Sequence, residues 1–148
     1  MTEIVNKVAA YITCEGHLLV FTQPAAPEAG VQIPSGTVKD GEDLEMAVLR
    51  EAMEESGLKA LTVRAYLGER TYDMRAITGA DRKVRRHFFH LDYAGPISLE
   101  SWRNWEEDPS EGEEDSVEFE LRWVRYPEEV PELAAEFSDL LHMLQPDV

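Results

Sequence analysis

The sequence predicts a single α/β domain, and three observations predict it. Segments rich in Val, Ile, Leu, Tyr and Phe recur along the chain, with only two stretches patterned as helices among them. The 148 residues suffice for one sizeable core and leave no room for a second, so residues 1–148 read as one domain. A composition of 43% hydrophobic and 30% charged residues is that of a folded globular chain.

The elements follow in order. Lys7 to Cys14 and His17 to Gln23 are apolar and β-prone, and Glu15-Gly16 alone separates them, which predicts a hairpin. Pro24 to Gly30 reads as a loop, and Val31 to Ile33 as a short strand ending in the turn Pro34-Ser35-Gly36. Asp43 is a good helix N-cap, Leu44 to Ser56 carries strong helix formers, and Gly57 suits the left-handed position just past a helix. Leu61 to Tyr72 and Val84 to Tyr93 read as strands joined by a connection over Met74 to Arg82. Trp102 to Ser116 is acidic, contains Pro109 and Gly112, and reads as a loop. Val117 to Val124 alternates apolar and charged residues as a strand does. Pro131 to Leu144 reads as an amphipathic helix opened by proline, with Leu133, Phe137, Leu140, Leu141 and Leu144 on one side.

Charge narrows the function. A formal net charge of -16 repels a nucleic-acid backbone, whose binding draws on Lys and Arg neutralising phosphates, so a polymeric nucleic acid is not an expected partner. A small phosphorylated ligand is compatible, because a bound metal or a local cation cluster reverses the field within one cleft. No apolar run is long enough to cross a bilayer, and the N-terminus lacks a basic segment followed by an apolar one, so the cytoplasm is the expected location and a membrane partner is not expected. The lone Cys14 sits in an apolar run and reads as a buried thiol.

The helix over Leu44 to Ser56 carries the chemistry. Leu44, Ala47, Val48, Glu51, Ala52 and Glu55 share one stripe of it, which sets two carboxylates among core-facing neighbours. Glu54 lies beside them, so Glu51, Glu54 and Glu55 converge. Crowded carboxylates repel one another and resist desolvation, and a divalent cation removes that cost. Oxygen ligands without Cys or His suit magnesium, calcium or manganese and argue against zinc. A solvated acidic face is the plain alternative for this spacing alone.

The wider pattern decides between them. Gly36, Glu42, Arg50, Glu51, Glu54, Glu55, Gly57 and Leu58 fall at the spacing Gly-x5-Glu-x7-Arg-Glu-U-x-Glu-Glu-x-Gly-U, where U is a bulky aliphatic residue. The chain thereby resembles the Nudix (MutT-type) hydrolase family. One position departs: Ala52 stands where the family favours a larger aliphatic residue, which bears on packing more than on chemistry. The resemblance implies an α/β/α sandwich around a mixed β-sheet. It also implies a metal-dependent hydrolase that cleaves the pyrophosphate bond of a nucleoside diphosphate linked to another group.

By that resemblance, Glu51, Glu54, Glu55 and the carbonyl of Gly36 are expected to hold Mg2+, with Mn2+ as a substitute. Glu42 and Arg50 are expected to orient those ligands, and Gly57 to cap the helix. A carboxylate from a later loop often assists, and Glu106 to Asp115 offers candidates, of which Glu113, Glu114 and Asp115 are favoured and Glu114 is taken first. Arg70 and Arg86 are the cations best placed to meet substrate phosphates, although ion pairing explains such residues equally well. His87 and His90 alternate with Phe88 and Phe89 and read as packed groups. Trp102 and Trp105 read as packing under the loop. Neither the proline linked with ADP-ribose nor the tyrosine linked with dinucleoside polyphosphates stands at the usual distance after the box, so the expected partner is a small nucleotide of open identity. The resemblance leaves a homodimer open. A nucleotide-binding sensor of the same fold without catalysis is the alternative, but such a sensor would normally have lost a box carboxylate, and all are present.

Overall fold

A computed structural model describes residues 3–106, 117–145 and 148. The strands are β1 (Glu3–Cys14), β2 (His17–Thr22), β3 (Ser35–Thr37), β4 (Leu61–Asp73), β5 (Arg82–Tyr93), β6 (Trp102–Glu106) and β7 (Val117–Arg125), with one α-helix among the described residues, α1 (Leu44–Ser56). The sheet runs β4-β5-β1-β2-β7-β6, and β3 pairs with β1 outside that path. β1 and β5 are parallel and every other pairing is antiparallel, which makes the sheet mixed.

β1 explains the arrangement. Its run from Val8 to Cys14 is buried throughout, as expected for a central strand covered on both faces. Val8, Ala10 and Ile12 point to one face, where they meet Ala47, Val48 and Ala52 of α1. Ala9 and Tyr11 point to the other, where they meet Leu133, Phe137, Leu140 and Leu144. Along one edge β1 pairs with β5 from Glu3 to Thr13. Along its other edge it pairs with β3 through Lys7 to Ala9 and with β2 only at Thr13 and Cys14. The sheet therefore forks at Ala10, whose N–H donates to the Pro34 carbonyl at 2.8 Å, and the fork opens beneath α1.

The hairpin turn is as the sequence predicts: Glu15 and Gly16 both have positive φ, 49° and 77°, the conformation that matches the twist of flanking strands. Gly57 caps α1 in the left-handed region, its N–H donating to the Met53 carbonyl at 2.9 Å. Asp43 precedes α1 in extended conformation but makes no side-chain capping bond.

Three expectations are corrected. The strand near Val31 lies later, at Ser35–Thr37, with Val31 and Gln32 reduced to isolated bridges. Trp102–Glu106 is a strand rather than loop, because it pairs along β7 from Trp102↔Leu121 to Glu106↔Val117. Residues 131–144 form no α-helix. Their apolar positions are buried as expected, but Ala135 and Glu136 take φ of 52° and 62°, and the helical turn that remains is a short 3-10 segment at Leu141–Met143. The backbone there bonds outward: Ala134 N–H donates to Val31 O, the Tyr11 hydroxyl donates to Phe137 O, and Leu140 N–H donates to that hydroxyl. Groups held by the sheet are not available to a helix ladder. The layer opposite α1 is thus built from turns.

Candidate active site

The site lies where β3, the second half of α1 and the end of β6 meet. Arg50 is its organising residue. Its Nε and Nη2 hold both oxygens of Glu42, at 2.8 and 2.9 Å, Nη2 also reaches the Thr37 carbonyl, and Nη1 donates to Glu51 Oε1 at 2.7 Å and lies 3.5 Å from Glu54 Oε2. A planar, permanently charged guanidinium can hold such a fork rigidly where an ammonium cannot. The bond from Arg50 drives the Glu42 carboxyl down to about 2, so it stays ionised. Glu42 also accepts from the Lys39 N–H, which fastens the turn before α1.

Glu51 is almost wholly buried, and its Oε2 has no hydrogen-bond partner. Desolvation raises its pKa even against the pull of Arg50. Gly36 makes room for it: a Cβ at Gly36 would fall 2.2 Å from Glu51 Oε2. Carboxylate oxygens of Glu51, Glu54 and Glu106 lie within 4.8 Å of one another. Glu55 is also buried, accepts from the Ser35 N–H at 2.7 Å, and has its pKa raised by burial first and by Glu106 second. An orphaned buried oxygen beside convergent carboxylates is the donor set of a hard divalent cation.

The structure thus brings together Gly36, Glu42, Arg50, Glu51, Glu54 and Glu55. It adds Glu106, at the near end of the acidic stretch rather than among the residues favoured there. The alternation of Trp102, Asn104 and Glu106 within a strand would have pointed to it, had that stretch not read as loop. Glu113, Glu114 and Asp115 lie outside the described residues.

The two arginines separate. Arg70 and Arg86 are cross-strand partners, but Arg70 is exposed and donates to the neighbouring Glu69 carbonyl. Arg86 lines a pocket of about 390 Å³ together with Lys7, Tyr72, Met74, Ile77, Val84, Ala135 and Glu136. Its guanidinium carbon lies 4.3 Å from the Phe137 ring centroid and 5.1 Å from that of Tyr72, and Nη1 donates to Ala135 O at 2.6 Å. Sequence reasoning missed Lys7, the partner of Arg86 on β1 and of Thr37 on β3. Lys7 lines the same pocket, and its pKa is lowered mainly by burial, then by Arg86, while Glu51 and Glu55 pull the other way.

His87, His90, Trp102 and Cys14 are packed or hydrogen-bonded. His87 bonds Tyr66 and Asn6, and His90 bonds Thr13 at 2.7 Å. Trp102 packs on Trp123, and Cys14 is buried. Trp105 departs from expectation, being 55% exposed.

The described residues thus form a mixed sheet crossed by one helix that presents clustered carboxylates. The chain belongs to the Nudix family: the NUDIX domain model matches residues 5–143. Its fold is similar to the MutT Nudix hydrolase from Burkholderia pseudomallei, at 23% identity, covering 97% of this chain and 99% of that one with a TM-score of 0.61. It is also similar to a UDP-X diphosphatase, at 14% identity, over 97% of this chain and 62% of that one, with a TM-score of 0.62. The ORF135 protein of E. coli matches at 26% identity over 61% of each chain, with a TM-score of 0.50. The chain therefore spans less than two thirds of two of these relatives. No curated protein matches it. Among the described residues no helix is long and apolar enough to cross a membrane.

Proposed function

We propose that the protein hydrolyses the pyrophosphate linkage of a small nucleotide, a nucleoside triphosphate, nucleotide sugar or related compound, with Mg2+ or, in its place, Mn2+. The observation that carries this reading is the buried, partnerless Glu51 Oε2 beside the carboxylates of Glu54 and Glu106. Glu51, Glu54 and Glu106 would hold the cation, with Glu55 and the Gly36 carbonyl adjoining. A bound divalent ion supplies charge neutralisation at the phosphates and lowers the pKa of water.

The other residues bind and orient. Arg50 holds Glu51 and Glu54 in register with Glu42, so that the ligands need little rearrangement on binding. Lys7 and Arg86 provide positive charge at the pocket, and the Tyr72 ring with Met74, Ile77 and Val84 provides an apolar wall for a nucleoside. Glu51 and Glu55 are buried, whereas the Glu54 side chain reaches solvent.

The test is hydrolysis of a panel of nucleoside triphosphates, oxidised nucleotides, nucleotide sugars, ADP-ribose and dinucleoside polyphosphates, with and without Mg2+, read by product identity. Cleavage at a pyrophosphate linkage that EDTA abolishes is expected. Glu54→Gln should fold, because that side chain is 40% exposed, yet turn over on the order of a thousandfold more slowly. Binding of a nucleotide without cleavage of any would instead make the protein a sensor. Cleavage of a phosphate monoester alone would refute the reading.

A further inference from the structure

We infer that Asn104 is a positioning residue: it clamps the last turn of α1 to β6 and so fixes the separation between Glu54, Glu55 and Glu106. The catalytic consequence of this clamp rests on the hydrolase reading above; the clamp itself does not.

An α-helix leaves its last four carbonyls without internal partners. In α1 these belong to Met53, Glu54, Glu55 and Ser56. The Met53 carbonyl takes the Gly57 N–H. The other three are satisfied by side chains of one strand: Asn104 Nδ2 donates to Glu54 O at 2.7 Å and to Glu55 O at 2.9 Å, and Trp102 Nε1 donates to Ser56 O at 2.9 Å. The one amide nitrogen thus serves both carbonyls. The reverse orientation would set Oδ1 against two carbonyl oxygens, so the helix end dictates how Asn104 lies. Gly57 keeps the approach open, since a Cβ there would come within 3.2 Å of Asn104 Oδ1.

The clamp sits on the carboxylate cluster. Alternate side chains of a strand share a face, so Trp102, Asn104 and Glu106 all turn toward α1. Asn104 holds the main chain of the two residues whose side chains enter the site, and Glu106, two residues along, meets Glu51 and Glu54 there. One rigid strand thereby sets both the helix end and the opposing carboxylate. The donor is also neutral. A Lys or Arg would complement the negative helix end too, but would add a second cation beside carboxylates that Arg50 already pairs.

The variants are Asn104→Leu, which keeps the shape and loses the donors, and Trp102→Phe, which loses Nε1 together with part of the ring that packs on Trp123. Three measurements are made well below the melting temperature: amide exchange over residues 53–57 by NMR, Mn2+ affinity by EPR titration, and kcat with KM. For Asn104→Leu the expected result is faster exchange in that turn, Mn2+ affinity weaker by about tenfold and kcat lower by a similar factor, with KM for the nucleotide little changed. Trp102→Phe should show the same pattern more weakly, and it carries the test if Asn104→Leu does not fold. A lower melting temperature with Mn2+ affinity and kcat within about twofold of wild type would reduce the contact to an ordinary cap and overturn the proposal. Unchanged exchange would overturn the clamp itself. If the wild-type protein binds no Mn2+ and cleaves no nucleotide, the hydrolase reading fails while exchange still decides the clamp.

Discussion

Gly36 and Glu51 approach so closely that a methyl group on Gly36 would sit 2.0 Å from Glu51 Cδ. The requirement is for space and not for an unusual backbone, and the neighbour in the way is a buried side chain that Arg50 holds in place. Gly36→Ala must therefore displace either β3 or the carboxylate. Overpacking of this kind costs about 1–3 kcal/mol of stability. The expected outcome is a lower melting temperature together with a kcat loss of at least about a hundredfold, since a ligand moved by about 1 Å is a ligand misplaced. Thermal denaturation and steady-state kinetics check both, and a variant with wild-type kcat would show that Glu51 need not stay where it is.

Glu106 and Glu55 share a buried site that favours neither charge, and each raises the cost of ionising the other. Glu106→Gln removes that repulsion. Without metal the variant should melt higher than the wild type, and with Mn2+ it should bind more weakly and turn over more slowly. Stability and function move in opposite directions, as expected where a site stores electrostatic strain for a ligand. Differential scanning calorimetry with and without Mn2+ is the measurement. Were Glu106→Gln to keep full kcat while a variant of Glu113, Glu114 or Asp115 lost it, the assisting carboxylate would belong to that segment.

How far the sequence could be read follows from the range of the interactions. The hairpin at Glu15-Gly16, α1 with its Gly57 cap, and the grouping of Glu42, Arg50, Glu51, Glu54 and Glu55 depend on neighbours along the chain, and these were legible. Residues 131–144 show the limit. Spacing identified the buried side chains, but the backbone conformation was decided by Tyr11, more than a hundred positions away, whose hydroxyl bonds Phe137 O and Leu140 N–H. β6 failed for a related reason: acidic neighbours outweighed a weak strand pattern whose pairing with β7 no local signal revealed. Glu106 was lost with it. Lys7 was overlooked because one Lys in a β-prone run carries no motif, and only strand register sets it opposite Arg86.

The carboxylates also fix a pH dependence. Burial holds the folded pKa of Glu51 and Glu55 above the ordinary value of 4.5. In the window between the unfolded and folded values the native state binds more protons than the unfolded chain, so stability falls as pH rises through it. These two groups therefore destabilise the metal-free protein above their folded pKa, and the cost disappears as pH falls toward 4.5. A cation competes for the same oxygens. The rise in melting temperature on adding Mn2+ should thus be large near pH ~8 and shrink toward pH ~5. A Mn2+ shift independent of pH across that range would mean that the cation does not displace protons from Glu51 and Glu55.

Arg86 and Arg70 are cross-strand partners with different surroundings, and substrate affinity should separate them. The Arg86 guanidinium lies over the rings of Phe137 and Tyr72 and donates to Ala135 O, which ties its charge at the pocket. Arg70 is exposed and free of such constraint, and its contact to Glu69 O is local. Arg86→Ala should raise KM about tenfold, corresponding to about 1.4 kcal/mol. Arg86→Lys should recover little of this, because an ammonium neither stacks between rings nor presents a planar edge. Arg70→Ala should raise KM less. A fall in kcat alongside the KM rise at Arg86 would mean that the contact tightens as the phosphate bridge breaks, whereas an unchanged kcat would confine it to binding. Should Arg70→Ala raise KM as much as Arg86→Ala does, the pocket around Arg86 would not be where the nucleotide is held.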